Sequence, residues 1–203
     1  VLWLLAYNRQ MEQESAKVTE LHTERPRRPR GIYLLPNLFT TAALFAGFYA
    51  VLASMNDQFE KAAIAIFVAM ILDGLDGRVA RMTNTQTAFG AEYDSLSDMV
   101  AFGLAPSLVV YEWSLLHLGK FGWLAAFIYT AGAALRLARF NSQIATADKR
   151  YFTGLPSPSA AAVVAAMVWV GFDNQLSGEL LAWPALLLTV MVGLLMVSNI
   201  RFH

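Results

Sequence analysis

Four aspartates have the types and the spacing to act as one chemical group. Asp73 and Asp76 are three residues apart, and Asp94 and Asp98 are four apart. On helices, both spacings place a pair on the same face. The segment 77–93 between the pairs is long enough for the chain to turn and come back antiparallel. All four carboxylates can therefore converge between two helices.

The flanks of these aspartates are strongly apolar, so the negative charge needs a partner. Bare carboxylates in an apolar setting repel one another and are costly to desolvate. Either protons or cations must therefore neutralise them. Hard divalent cations such as Mg²⁺ and Mn²⁺ prefer oxygen ligands, and two such ions about 4 Å apart form a clamp suited to phosphoryl chemistry.

Two other interpretations of the aspartates were possible. Helix-terminal aspartates at a membrane interface could pair with Arg78 and Arg81, which suits one pair better than all four. A calcium-binding EF-hand loop is excluded. A loop opening at Asp73 needs oxygen ligands at its third and fifth positions, and these are Leu75 and Gly77.

The composition indicates an integral membrane protein. Of the 203 residues, 57% are hydrophobic and only 15% are charged, whereas a water-soluble domain carries about 25% charged residues. The apolar residues come in long blocks, as membrane-spanning helices require. The absence of cysteine excludes disulfides, thiolate chemistry and cysteine metal sites.

The apolar blocks predict an all-α integral membrane bundle of six transmembrane helices, since a spanning helix needs about 20 mostly apolar residues. The aspartates interrupt the second and third blocks near their facing ends. We predict that residues 1–30 form a cytoplasmic or interfacial N-terminal segment with a polar helix. Residues 31–203 are predicted to form a single transmembrane domain. The predicted spans are 34–55, 60–80, 91–112, 121–140, 157–173 and 180–199.

Lysine and arginine in the loops predict the orientation, because cytoplasmic loops are enriched in both. The side with both termini, the 78–90 loop and the 136–150 loop carries thirteen basic residues. The opposite side carries only two, Lys61 and Lys120. We therefore expect a protein of the cytoplasmic membrane with the aspartates facing the cytoplasm.

The aspartates belong to a longer pattern, D-x₂-D-G-x₂-A-R-x₈-G-x₃-D-x₃-D. Here it reads Asp73, Asp76, Gly77, Ala80, Arg81, Gly90, Asp94 and Asp98. In this pattern the chain resembles the CDP-alcohol phosphatidyltransferases at every position. The resemblance implies a catalytic domain of six transmembrane helices, commonly homodimeric and without a nucleic-acid partner. It also implies a reaction, in which an alcohol hydroxyl attacks a phosphorus of a CDP-linked lipid and CMP is released.

The same resemblance implies roles for the aspartates. Asp73, Asp76 and Asp94 would be ligands of two Mg²⁺ or Mn²⁺ ions. Asp98 would be the general base that takes the proton of the acceptor hydroxyl, while also contacting a metal. A base in this role must lie within hydrogen-bond reach of that proton.

Further residues are candidates for binding the CDP-lipid. Asn37 and Thr40 lie three apart at the start of the first span, where helix capping after Pro36 is the alternative. Small side chains let a nucleotide approach the backbone, although they serve tight helix packing equally well. The full set of CDP-lipid candidates is Asn37, Thr40, Gly77, Ala80, Arg81 and Gly90.

The acceptor is suggested by three stretches, PNLFT, RLARFN and TGLPSP. With the aspartate pattern, they make residues 31–160 similar to the membrane-embedded phosphatidylserine synthases of this family. That similarity implies CDP-diacylglycerol and L-serine as substrates. Arg136 and Arg139 are candidates for the serine carboxylate and Asn141 for a polar contact. Anchoring at lipid headgroups is the alternative role of the two arginines.

Other functions remain open at this point. Glycerol 3-phosphate, an inositol phosphate or choline could be the acceptor, although the arginine that glycerophosphate-using relatives usually carry is missing from 41–44. An intramembrane prenyltransferase also uses aspartates and Mg²⁺, but usually has more helices and lacks the full pattern. A divalent-cation transporter would need polar residues through to the opposite face, and the carboxylates cluster toward one face only.

Overall fold

The computed structural model describes residues 34–83, 85, 87–143 and 152–202. Most of these residues are helical. In chain order the helical elements are α1 (Leu34–Ser54), α2 (Phe59–Thr83), α3 (Ala88–Asp98), a π-helical segment (Met99–Leu104), α4 (Ala105–Trp113), a 3₁₀ turn (Leu115–Leu118), α5 (Lys120–Gln143), α6 (Ser157–Asp173) and α7 (Ala182–Val197). The predicted N-terminal helix and the domain boundary after residue 30 lie outside the described residues.

The expectation of a helical protein is confirmed, with one small addition. Two strands of two residues each, β1 (Phe152–Thr153) and β2 (Arg201–Phe202), pair antiparallel. The backbone N–H of Gly154 extends the pairing by donating to the carbonyl of Ile200 at 2.9 Å. The sequence did not predict these strands, because two residues are too few to show an alternating pattern.

The apolar blocks coincide with helices to within a few residues. The block at 91–112 differs in kind, because α3, the π-helical segment and α4 together form it. Leu35–Ser54 and Lys120–Ser142 are long and apolar enough to cross a membrane, whereas Ser157–Asp173 and Ala182–Val197 are apolar but shorter. These helices indicate association with a membrane. The count of six membrane spans stays a prediction.

Local sequence signals explain where α3 and α6 begin. Thr87 precedes α3, and its side-chain oxygen accepts a hydrogen bond from the backbone N–H of Gly90 at 2.9 Å. This N-cap satisfies a donor that the first turn of a helix otherwise leaves unpaired. A proline, Pro158, lies in the first turn of α6, where its missing N–H is not needed for the helix.

Small residues make up much of the interior, and many large hydrophobic residues face outward. More than half of the buried hydrophobic residues among those described are alanine. By contrast, the side chains of Phe45, Phe127 and Leu187 are 61–66% exposed. Lipid tails are as apolar as leucine, so helices in a membrane associate through small residues and not by burying large ones. The distribution therefore fits packing in a membrane.

Helix α1 holds the two aspartate-bearing helices in place. It packs extensively against α2 and also against α3 and the π-helical segment. A close approach occurs at Gly47, where an added Cβ would lie 2.6 Å from the Cα of Ala101. Because the obstacle is backbone, a side chain at Gly47 would have to push α1 and the π-helical segment apart.

The Gly47→Ala variant is therefore expected to be less stable, by about 1–3 kcal/mol in free energy of unfolding, as for other overpacked sites. The thermal midpoint of the detergent-purified protein would measure this loss. Gly74→Ala is the matched control, because Gly74 also lies within a helix but an added Cβ there meets no atom within 4 Å. An equal midpoint for the two variants would contradict the close approach.

Candidate active site

Carboxylate oxygens from two helices meet at one place. Asp73 and Asp76 lie on α2, and Asp94 lies on α3. One oxygen from each of these three side chains lies within 4.8 Å of the other two. Asp76 is buried, with 5% of its surface exposed, and the other two are partly buried. The structure thus brings together three of the four aspartates that the sequence singled out.

Asp98 lies beside this cluster. It is the last residue of α3, and its side chain is within hydrogen-bond reach of Asp73. The guanidinium of Arg136, on α5, interacts electrostatically with Asp98. Two carboxyl groups this close are stable only with a proton or a cation between them. The position next to the cluster, and not within it, favours a separate task for Asp98.

A threonine on α1 orients Asp76. Thr40 Oγ1 donates to Asp76 Oδ2 at 2.7 Å, and Ser97 Oγ on α3 donates to the Thr40 carbonyl at 3.1 Å. The three groups are buried and link α1, α2 and α3. Thr40 lies more than one turn inside α1, so the helix-capping alternative does not apply to it.

The donor set of the cluster fits a divalent cation. Three carboxylates supply only oxygen, which Mg²⁺ and Mn²⁺ prefer. Asp94 Oδ1 is buried, and no hydrogen-bond donor reaches it among the described residues. A buried carboxylate oxygen without a partner is rare in folded proteins and calls for one. An ion-pair role with Arg78 or Arg81 leaves this oxygen unexplained, whereas a cation accounts for it.

A pocket of about 250 Å³ opens next to the cluster, between α1, α2 and α3. Every residue predicted to bind the CDP-lipid lines it, together with Asp76 and Asp94. An added Cβ at Gly77 would meet no protein atom within 4 Å, so helix packing does not require glycine there. This favours close approach of a ligand as the reason for Gly77. The predicted CDP-lipid residues on the pocket wall are Asn37, Thr40, Gly77, Ala80, Arg81 and Gly90.

The two arginines of α5 have different surroundings. Arg136 Nη1 donates to Ser157 Oγ, at the start of α6, at 2.7 Å. Its Nε is buried and has no hydrogen-bond partner among the described residues. Arg139 points elsewhere, since its guanidinium donates to the Val197 carbonyl at 3.1 Å and to Asn199 Oδ1 at 3.2 Å. Of these two arginines, Arg136 is the one that interacts electrostatically with Asp98 and keeps a buried nitrogen without a hydrogen-bond partner in the part of the chain that the structure describes.

Asn141 contacts α3 beside one of its aspartates. Its amide Nδ2 donates to Ser95 Oγ at 3.0 Å, and Ser95 is the residue that follows Asp94. The contact links the C-terminal end of α5 to α3, between the two aspartates of that helix. Asn141 thus stands at the edge of the site and not inside the pocket.

Some residues of the site were missed by the sequence analysis. Thr85 and Thr87 line the pocket, and Ser157 holds Arg136. A signal existed for Thr87, because a threonine just before a helix is a typical N-cap. No comparable signal exists for Thr85. Ser157 lies in the TGLPSP stretch, but nothing local in that stretch predicts its contact with Arg136, which is 21 positions away.

The sequence profile of the CDP-alcohol phosphatidyltransferases matches residues 33–195. The chain belongs to the CDP-alcohol phosphatidyltransferase family. The match includes all four aspartates and the pocket residues, so the family membership predicted from the D-x₂-D-G pattern is confirmed.

Three relatives from this comparison illustrate its range. A CDP-diacylglycerol–serine O-phosphatidyltransferase of Helicobacter pylori (strain ATCC 700392 / 26695) is 43% identical over 176 residues, covering 84% of this chain and 72% of the relative. One of the same name from Mycobacterium leprae (strain TN) is 34% identical over 186 residues, covering 88% and 61%. An archaetidylserine synthase of Methanothermobacter thermautotrophicus is 32% identical over 170 residues, covering 83% and 69%.

The contact of Thr40 with Asp76 yields a prediction about metal binding. Residues that orient a metal ligand typically contribute about 10–100-fold to metal affinity. We expect Thr40→Val to weaken Mn²⁺ binding by at least about 10-fold, measured by calorimetry on purified protein. Thr41→Val is the matched control, because the Thr41 hydroxyl pairs with the Tyr93 hydroxyl at 2.9 Å and not with a carboxylate. Equal affinities in the two variants would remove Thr40 from the metal site.

Proposed function

We propose that this chain transfers the phosphatidyl group of CDP-diacylglycerol to the hydroxyl of L-serine, as a CDP-diacylglycerol–serine O-phosphatidyltransferase. The observation that carries the proposal is the convergence of three carboxylates beside a pocket lined by the family pattern. The names of the relatives from Helicobacter pylori and Mycobacterium leprae support serine as the acceptor. In the reaction, serine Oγ becomes bonded to phosphorus, the bond from that phosphorus to CMP breaks, and CMP leaves.

Asp73, Asp76 and Asp94 would hold divalent cations, and we propose two ions, Mg²⁺ or Mn²⁺. Bound there, the ions would supply positive charge that stabilises the pyrophosphate and the CMP leaving group. The protein's own part is to aim the oxygens. Thr40 fixes one oxygen of Asp76, and α1 fixes the spacing of α2 and α3 by packing against both.

Asp98 would accept the proton of the serine hydroxyl as the new bond to phosphorus forms. Its place beside the three-carboxylate cluster, within reach of Asp73, supports this role. A base there would lie within reach of an acceptor hydroxyl beside the ions, and Asp98 would also contact one of the ions. The proton then stays on the Asp98 carboxyl until solvent removes it after CMP leaves.

Arg136 would bind the carboxylate of serine. Its buried Nε has no hydrogen-bond partner among the described residues, while the hydrogen bond from its Nη1 to Ser157 Oγ fixes the orientation of the guanidinium. Guanidinium groups bind carboxylates in a fork geometry that fixes orientation. Asn141 would add a polar contact at the edge of the site. Arg139 would instead hold α5 to the end of α7, because its donors are used there.

The membrane arrangement is part of the proposal. We place the protein in the cytoplasmic membrane with six spans over residues 31–203, with residues 1–30 as a separate cytoplasmic segment and with two copies forming a homodimer. The thirteen basic residues on the side of the aspartates support a site that faces the cytoplasm. Serine is water-soluble, and CDP-diacylglycerol lies in the membrane, so a site at the cytoplasmic surface meets both.

The proposed activity is tested by CMP release from CDP-diacylglycerol with Mn²⁺ or Mg²⁺. L-serine, glycerol 3-phosphate, an inositol phosphate and choline are added separately to purified protein. We expect release only with L-serine, and a loss of at least about 100-fold in kcat for Asp98→Asn, since general bases contribute about 10²–10⁴-fold. Release with another acceptor would keep the family chemistry and overturn serine. Release with none, in protein that binds Mn²⁺, would favour a transporter or a different transferase.

Arg136 and Arg139 give a paired test of the acceptor site. We expect Arg136→Ala to raise the KM for L-serine by about 10-fold or more, because a charged hydrogen-bond partner contributes about 1.5–3 kcal/mol. The KM for CDP-diacylglycerol should change much less. Arg139→Ala should lower the thermal midpoint and leave the serine KM within about twofold. Equal rises in both KM values for Arg136→Ala would remove it from the serine site.

A further inference from the structure

The helix that carries Asp98 contains a backbone defect directly after that residue. The π-helical segment Met99–Leu104 separates α3 from α4, and the backbone N–H of Ala105 donates to the carbonyl of Val100, five residues back. A π-helical segment accommodates one extra residue in a helix. One residue corresponds to about 100° of helix rotation, so the defect sets which way α3 faces relative to α4.

One residue, Pro106, accounts for the π-helical segment. Pro106 lies four residues after Phe102, has no backbone N–H and is fully buried. In a regular α-helix, the Phe102 carbonyl would accept from that missing N–H and would clash with the proline ring. The carbonyl of Phe102 therefore lacks the donor that a regular α-helix would give it, and a buried carbonyl favours a hydrogen-bond donor from elsewhere.

Tyr129 supplies that donor. Its hydroxyl donates to the Phe102 carbonyl at 3.0 Å, and both residues are fully buried. Tyr129 lies on α5, so the bond crosses between two helices. None of the roles proposed above uses Tyr129, and at this depth a tyrosine hydroxyl requires a partner of this kind.

The π-helical segment is also held tightly from two sides. Ala101 packs against Gly47 of α1 with almost no space between the backbones. On the α5 side, an added Cβ at Gly103 would lie 3.1 Å from the Ala133 side chain. The segment can therefore shift only if it moves away from α1 or α5, and the Tyr129 hydrogen bond opposes that motion.

We propose that Tyr129 is a positioning residue, which fixes the π-helical segment and thereby aims Asp94 and Asp98 at Asp73 and Asp76 on α2. Phe102 lies one turn after Asp98, so displacement of its carbonyl is transmitted directly to that aspartate. The inference rests on the proposed function for the role of Asp98. It adds that catalysis depends on a hydrogen bond made outside the pocket, by a residue that touches neither substrate nor ion.

The test compares two substitutions at neighbouring positions of α5. Tyr129→Phe removes only the hydroxyl that reaches the π-helical segment. Thr130→Val is the matched control: the Thr130 hydroxyl donates to Ser107 Oγ at 2.8 Å, in α4 beyond the defect. Each variant loses one hydrogen bond between α5 and the helical stretch formed by α3, the π-helical segment and α4. Only Tyr129→Phe loses that bond within one turn of Asp98.

For Tyr129→Phe we expect kcat to fall by at least about 10-fold, because small misplacement of a catalytic group has effects of this size. Both KM values should stay within about twofold. Mn²⁺ binding without substrates, measured by calorimetry, should weaken several-fold because Asp94 lies on the same helix. Thr130→Val should change none of these by more than about twofold. Equal kinetics and equal Mn²⁺ affinity in the two variants would overturn the proposal.

A second variant separates positioning from stability. In Tyr129→Phe combined with Pro106→Ala, the new backbone N–H at 106 can pair with the Phe102 carbonyl, so the thermal midpoint should recover toward that of the parent protein. If Tyr129 acts by positioning, kcat stays low in this double variant. Recovery of kcat together with stability would overturn the proposal. Failure of the proposed function itself shows separately, as absence of serine-dependent CMP release in the parent protein and in Thr130→Val.

Discussion

The close approach of carboxylates inside an assembly of apolar helices is the constraint on which the other features depend. Three carboxylate oxygens lie within 4.8 Å of one another, and a fourth aspartate stands beside them. Charges of one sign at this separation repel strongly when water is scarce. The arrangement is stable only if cations or protons enter and if the surrounding helices resist being pushed apart. Both conditions can be traced to named contacts.

Resistance to separation comes from small residues and not from large ones. Alanine makes up more than half of the buried hydrophobic residues among those described, and Gly47 lets α1 approach the π-helical segment at backbone distance. Because α1 packs against α2 and α3, it sets the spacing of the two helices that carry the aspartates. Its Thr40 also donates directly to Asp76. Helix α1 therefore serves two purposes: Gly47 allows the close packing, and Thr40 orients a carboxylate of the site.

Several contacts around the site are made by residues of α5. Arg136, Tyr129 and Asn141 all lie on this helix, and each reaches a different partner around the aspartates. Arg139 fastens the same helix to the end of α7. Movement of α5 would thus alter the anion-binding arginine and the π-helical segment at the same time. In our proposal, acceptor binding and the aim of Asp98 are coupled through this one element.

The sequence by itself determined the helices, the family and the pocket residues of the D-x₂-D-G pattern. The helices and the convergence of the carboxylates follow from local properties, namely apolar block length and the spacing of carboxylates on a helix face. The family and the pocket residues came from the resemblance of the whole pattern to a known family. Only the tertiary structure decided that Asp98 stands beside the three-oxygen cluster, that Arg139 binds the end of α7 and that β1 pairs with β2. It also decided that the Tyr129 hydroxyl donates to the Phe102 carbonyl, which Pro106 deprives of its usual α-helical donor. Each of these depends on contacts between segments far apart in the chain, such as the 58 positions from Arg139 to Val197, and local patterns carry no information about which distant groups will meet.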